Sequence, residues 1–486
     1  MKLYHLTTLL FLFHFISGLG QTEIATINEV YKNRVIQPDE AVPLVDEEGQ
    51  RFALMLFKGK VINGYLFDKT NTMIGNLVSE EKARNYRQIL GKTILKNNDF
   101  VVFMTNKNRK KFASSRLSFQ KNEIEFNELD LDLANEKILQ TADFNNKFHV
   151  ITITPRTALI NIYRFEDATT FTKFPIDFSN HTFLNDKQKE TDLYDMITIN
   201  SGFYGLGKEI DLVKIETVNP TSLEVACNPT KLYQQDELMI LTFDSNEDIT
   251  QIVEINLESL EGTVKVVKKA MTNWAYKERN SNSFLCDDLL YQIVTTKRVI
   301  HLRAQNYRTG DIINEYSASE NEKITFKNSP IAQTGGAFDN YREFQDTGTL
   351  LRKVRRGKAG LSVHKSGDLY QLTYGGVIER QTNPGMMMPG FGIPIASVGA
   401  VSVFFNPAFF AYESYTHTKA LFVDALFNSK FEHQTGEINE NVFDRIETFE
   451  EESKISPVGR TVFKLNNSYV LGNYQSFTKT YTLRSF

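Results

Sequence analysis

Pairs of polar residues lead, again and again along this chain, into short runs of aromatic and β-branched residues. Asn98-Asp99 opens Phe100-Val101-Val102-Phe103-Met104, and Asn146-Lys147 opens Phe148-His149-Val150-Ile151-Thr152-Ile153. Asp192-Leu193 precedes Tyr194-Asp195-Met196-Ile197-Thr198-Ile199, and Asp236-Glu237 precedes Leu238-Met239-Ile240-Leu241. Asp288-Leu289-Leu290-Tyr291-Gln292-Ile293 and Gly367-Asp368-Leu369-Tyr370-Gln371-Leu372 nearly spell each other, with weaker copies at Phe52, near Leu421 and at Tyr469. Asn, Asp and Gly accept the backbone angles of tight turns, and apolar runs of this length between such residues read as strands. Helix signals are few. Ser79 is placed to cap Glu80–Leu90, with Gly91 as its stop, and the acidic stretch Asn441–Ser453 is the other candidate.

The runs begin at 52, 100, 148, 194, 238, 290, 369, 421 and 469, with gaps of 48, 48, 46, 44, 52, 79, 52 and 48. A four-stranded propeller blade occupies about 40–50 residues. One such sheet cannot bury both of its faces, so blades stack around an axis and cover one another. Over residues 50–486 the chain resembles β-propeller repeat proteins in general. The resemblance implies an all-β fold of seven or eight blades of about 45–50 residues. The strand near Phe52 would complete the last blade, residues 21–50 would be a lead-in, and an irregular insertion would lie around 330–412. There is no Trp-Asp dipeptide and no Asp-box, and Trp274 is the one tryptophan, so no subfamily is marked. Two β-sandwiches, or a sandwich with a smaller propeller, are the rival architecture.

The first twenty residues have a different character. Lys2 precedes the apolar run Leu9–Ile16, and Gly18 and Gly20 stand just before Gln21, the layout of a secretory signal. The run falls short of the ~20 apolar residues of a membrane span. Cleavage near Gly20 is expected, leaving the mature chain in a periplasm, on a cell surface or in the medium. A net charge of −4 gives no basic surface for nucleic acid. The C-terminal strand places Arg484, Thr482 and Thr480 on the face of Phe486, which does not suit the lipid side of an outer-membrane barrel. Export would permit a disulfide between Cys227 and Cys286, worth roughly 4 kcal/mol for a loop of this size. Two buried thiols are the alternative, and cysteines so spaced do not form a metal site.

Catalytic signatures are missing: no Gly-x-Ser-x-Gly, no His-Glu-x-x-His, no phosphate loop. His149, His181, His301, His364, His417 and His433 are scattered, without metal-ligand spacing. Asp244-Ser245-Asn246-Glu247-Asp248 opens like a calcium loop, but Ile249 stands where a glycine is needed and Ile255 where the bidentate Glu belongs. It reads as a polar turn. The basic run Arg352, Lys353, Arg355, Arg356 and Lys358 offers forks and ammonium groups to a phosphate, sulfate or acidic glycan, although such runs are more often solvated. Residues 381–412 contain no charged side chain at all. Their tip Met386, Met387, Met388 and Phe391 suits an adaptable partner surface if exposed. These readings predict an exported, non-catalytic binding or scaffolding module of the cell envelope, with a protein or envelope glycan as partner and neither cofactor nor metal. The alternative is an extracellular enzyme acting on polysaccharide, with carboxylates gathered in a propeller funnel.

Overall fold

The computed structural model describes residues 21–486 apart from 29, 31–37, 47–49, 59–60, 80–85, 87, 201–207, 271–278, 335–340, 378–405, 417–419 and 457. Among the described residues, seven sheets have four or more strands. The first is Glu40–Asp46, Arg51–Lys58, Val61–Phe67 and Met73–Ser79. The second is Gln88–Ile94, Phe100–Thr105, Phe112–Ser118 and Glu123–Leu129, and the third Lys137–Phe144, Lys147–Ile153, Leu159–Phe165 and Phe171–Asp177. The fourth runs Thr230–Gln235, Leu238–Phe243, Ile249–Asn256 and Gly262–Lys268, with Val213–Ile215 added in parallel on its inner edge. The fifth is Asn280–Cys286, Leu289–Thr295, Val299–Asn306 and Ile312–Ser319. The sixth begins with Lys358–Ser366, Leu369–Val377 and Ala420–Phe427, and borrows Ile331–Gln333 and Arg342–Phe344 from earlier in the chain. The seventh is Thr461–Leu465, Ser468–Gln475 and Thr480–Ser485, completed by Thr22–Ile27.

First strands of neighbouring sheets touch: Glu40–Asp46 meets Thr461–Leu465, Gln88–Ile94 meets Lys137–Phe144, and Asn280–Cys286 meets Lys358–Ser366. First strands therefore lie innermost, and the molecule is an all-β propeller. Second strands such as Lys147–Ile153 and Leu238–Phe243 are buried almost throughout, being covered by a sheet on each side. Outer strands such as Gly262–Lys268 are mostly open to solvent.

Packing between sheets is aromatic. Phe148 of the third sheet stacks on Phe103 of the second at 4.3 Å, and Phe165 leans on Phe103 at 4.8 Å. Gly91 makes room for this, because a Cβ there would collide with the Phe148 ring. The hairpin turn between the third sheet's first two strands holds Asn145 and Asn146 at φ 51° and 53°, the left-handed pair that a two-residue hairpin wants.

The structure corrects four expectations. The strand that completes the last sheet is Thr22–Ile27, paired with Thr480–Ser485, whereas the Phe52 strand is the second of the first sheet. The run at Tyr194 is a short helix, Leu193–Ile197, because the Asp192 side chain caps the Asp195 N–H. The run at Leu421 is the third strand of the sixth sheet, not the start of another. Leu90 and Gly91 lie in strand Gln88–Ile94, not at a helix end. Helix Val442–Ser453 does form, with a reciprocal cap between Asn441 and Asp444 and a left-handed stop at Lys454. Among the described residues no helix is long and apolar enough to cross a membrane.

Candidate functional site

A cavity of about 490 Å³ lies among the inner strands. The penultimate residue of five of them contributes to its wall: Val45, Thr93, Asp143, Gln234 and Lys464. Side-chain hydrogen bonds hold the neighbouring strands in register. Thr93 Oγ1 donates to the Asn146 carbonyl at 2.5 Å, and Thr141 Oγ1 to the Leu90 carbonyl at 2.6 Å. Gln234 Nε2 donates to the Asp143 carbonyl at 2.9 Å, joining the third and fourth sheets. The wall is completed by Lys214, Glu216, Thr217 and Val218 and by Asn406–Ala408, where helix Pro407–Thr416 begins.

The side of the axis toward the fifth and sixth sheets is filled. Ser222 caps the short helix Leu223–Ala226, which ends on Cys227. The Cys227 thiol packs over Gly360 and donates to the Lys358 carbonyl at 3.3 Å. Asn282 Nδ2 reaches the carbonyls of Cys227 at 2.9 Å and Ala359 at 3.1 Å. Tyr469 Oη anchors the same segment to the seventh sheet through Asn219 Oδ1 at 2.7 Å and the Val218 carbonyl at 2.9 Å.

Four lysines and three carboxylates line the cavity: Lys92, Lys147, Lys214 and Lys464 with Asp143, Glu216 and Asp236. Lys147 is paired outward with Glu166 at 2.7 Å, and Lys214 lies 3.5 Å from Glu216. Among the described residues no carboxylate is within ion-pairing distance of Lys92 or Lys464. Asp143 is open to the water of the cavity yet enclosed by protein beyond it. That enclosure raises its pKa to about 6, with Glu216 pushing the same way and Lys92 and Lys214 pulling against them. His364, on the sixth sheet's inner strand, is lowered by burial and then by Lys464.

The basic run is divided between two elements. Arg352 and Lys353 lie in the last turn of helix Thr347–Val354, Arg355 ends it, Arg356 follows in the turn, and Lys358 begins the sixth sheet's inner strand. Cations at a helix C-terminus complement its dipole, which is a structural use for this charge. Arg352 Nη2 donates to Thr349 Oγ1 at 3.1 Å, and Lys353 Nζ donates to Gln333 Oε1 at 2.6 Å and sits 4.3 Å above the Phe344 ring. Met386, Met387, Met388 and Phe391 lie outside the described residues.

Of the two options for the cysteines, the structure holds buried thiols: Cys227 and Cys286 are both free. Cys227 faces the Lys358 carbonyl, and burial pushes each thiol up to about 12. In the loop Asp244–Asp248, ammonium groups stand where a calcium ion would be sought. Lys269 Nζ donates to the carbonyls of Asp244 at 2.6 Å and Asn246 at 2.7 Å, while Lys231 Nζ meets Asp244 Oδ2 at 2.9 Å. Among the described residues no group of three His, Cys, Asp or Glu could hold a metal.

The cavity residues escaped the sequence reading because each sits on a different strand, amid ordinary polar alternation. Their common signal is register: Asp143, Gln234 and Lys464 each stand two residues before the turn residues Asn145, Asp236 and Asn466.

No family model matches this chain, and no curated protein does. Solved structures do overlap it. One titled as the Dos1 propeller is 7% identical, covering 96% of this chain and 95% of its own at a TM-score of 0.28. A luciferin-regenerating enzyme is 7% identical, covering 86% and 100%, at 0.24. An acylaminoacyl peptidase of Pyrococcus horikoshii is 11% identical, covering 69% of this chain and 50% of its own, at 0.25. Overlaps this loose say nothing of what this chain binds or transforms; the sheet topology alone assigns the fold.

Proposed function

We propose that this protein is an exported, non-catalytic binding module of the cell envelope, and that its ligand enters the axial cavity. The secretory layout of residues 1–20 supports export, with cleavage near Gly20. The cavity carries the binding reading: five inner strands converge on one polar space of about 490 Å³, within the size range of small-molecule sites. An envelope glycan supplies ligands of this kind. The test is a glycan array probed with the secreted chain and with Val218→Trp. Val218 lines the cavity and is 54% exposed, so the larger ring narrows the opening without disturbing the core. Binding lost in the variant supports the cavity; equal binding by both proteins places the ligand elsewhere. Recovery of the chain outside the cytoplasm, beginning at Gln21, tests export, and retention inside with residues 1–20 attached refutes it.

A second reading has one observation in its favour. Asp143 and Glu216 share the cavity, and Asp143 holds its proton closer to neutrality than an ordinary carboxyl. Glycoside cleavage uses a carboxyl acid and a second carboxylate. Release of reducing ends from a polysaccharide by the wild type, lost in Glu216→Gln, would replace the binding reading with this one.

A further inference from the structure

We propose that the axial cavity selects a small organic anion, its acidic group held by Lys92 and Lys464. This rests on the cavity being the binding site and adds the chemical class of the ligand. Two of the four cavity lysines are already paired. Lys147 is held by Glu166, and Lys214 by Glu216, whereas no described carboxylate is within ion-pairing distance of Lys92 or Lys464, although Asp143 feels the charge of Lys92. An ammonium inside a concave wall has given up part of its hydration, and an arriving anion restores the lost interaction.

Two further features favour negative charge. Helix Pro407–Thr416 starts in the wall, with Asn406 Oδ1 accepting the Phe409 N–H at 3.1 Å. Its positive end therefore lies beside Lys464 and Phe463 in the cavity lining. His364, which feels Lys464, is biased toward its neutral form and brings no compensating charge. Apolar surfaces from Pro43, Val45, Phe144, Phe463 and Pro407 line the same space. They suit the carbon body of an organic molecule better than a bare inorganic ion.

Asp143 is the internal competitor. Lys92 and Lys214 are the cations that act on it, Glu216 acts against it, and Asp236 adds a further carboxylate to the wall. Its protonation removes one negative charge from a cavity meant to receive another. Anion binding therefore strengthens as Asp143 gains its proton.

The experiment is calorimetric titration of the secreted chain with four sugars of one shape: glucose, glucosamine, glucuronate and glucose 6-phosphate. Expected is binding of an acidic sugar with a Kd below about 1 mM, and of glucose and glucosamine at least about tenfold more weakly. The two acids distinguish a carboxylate from a phosphate ligand. Lys92→Ala and Lys464→Ala should each weaken the acid about tenfold, the size of one lost charge-assisted contact. With glucuronate, binding should be tighter at pH 5.5 than at pH 7.5, and Asp143→Asn should remove that difference. Equal binding of all four sugars, indifference to both lysine variants, or no acid binding below about 1 mM overturns the proposal. If Val218→Trp still blocks a neutral or cationic sugar, the cavity reading stands and only the anion inference falls. If Val218→Trp leaves acid binding intact, the cavity itself is the wrong site.

Discussion

Asp244→Asn is the sharpest test of how the fourth sheet is held. The Asp244 side chain is fully buried, as is that of Lys231, and the Lys269 side chain is 1% exposed. One carboxylate accepts from Lys231 Nζ at 2.9 Å, Thr250 Oγ1 at 2.6 Å and Ser283 Oγ at 2.8 Å. Burial opposes its charge, but Lys231, Lys269 and Thr250 outweigh burial, so it titrates below its usual range. The substitution nearly preserves shape while leaving two buried lysines without their counter-charge. Removing one member of such a pair costs about 3–5 kcal/mol. Asp288→Asn is the matched control, because Asp288 meets Arg308 at 3.0 Å on the surface, where an ion pair contributes about 0–1 kcal/mol. Urea unfolding of the three proteins at neutral pH gives the comparison. The depressed folded-state pKa also fixes the sign of the acid dependence. The wild type keeps this contribution above the unfolded carboxyl pKa of about 3.9 and loses it as pH falls through the lower folded value. Asp244→Asn should lack that part of the acid limb. A cost no larger than that of Asp288→Asn would refute the network as a stabilising unit. Calcium should leave the wild-type midpoint unchanged, and a calcium-dependent rise abolished by Asp244→Asn would show that the lysines do not own the loop.

Three further outcomes follow from the packing. Phe148→Ala should lose about 3–5 kcal/mol, because its ring fills the space between the second and third sheets that Gly91 leaves open; urea unfolding measures it, and a cost below about 1 kcal/mol would contradict the stacking. Asn441→Ala should cost about 1 kcal/mol by removing the cap on the Phe443 and Asp444 N–H groups, read as a lower melting temperature. Cys227 and Cys286 should resist a thiol reagent in the folded chain and react fully in denaturant, without prior reduction. A need for reductant would reveal a disulfide.

The strands that showed themselves in the sequence are those with a sheet on both sides. Phe100–Thr105 and Leu238–Phe243 are almost wholly buried, so they read as unbroken apolar runs. Outer strands such as Glu123–Leu129 are half open and blend into polar sequence. The run at Tyr194 imitated a strand because Leu193, Tyr194, Met196 and Ile197 are all buried, although their spacing suits one face of a helix. Ala420–Phe427 imitated a second strand because it too is mostly buried, with Ile331–Gln333 paired on its outer edge. The cavity was least legible. Lys92, Asp143 and Lys464 come together only through sheet order and hairpin register, neither of which leaves a local motif.

The pairing of Thr22–Ile27 with Thr480–Ser485, reinforced by Arg484 Nη2 and Glu23 Oε2 at 3.1 Å, also sets a timetable. The earliest of these strands to emerge from the ribosome must wait for the latest. Until then Thr480–Ser485 has no partner on its outer side, and an unpaired strand edge invites another chain. Joining segments so distant adds only logarithmically to the entropy of closure, but non-local pairings form slowly. At high concentration a neighbour's Thr22–Ile27 offers the same hydrogen bonds, so refolding yield should fall with concentration through strand exchange.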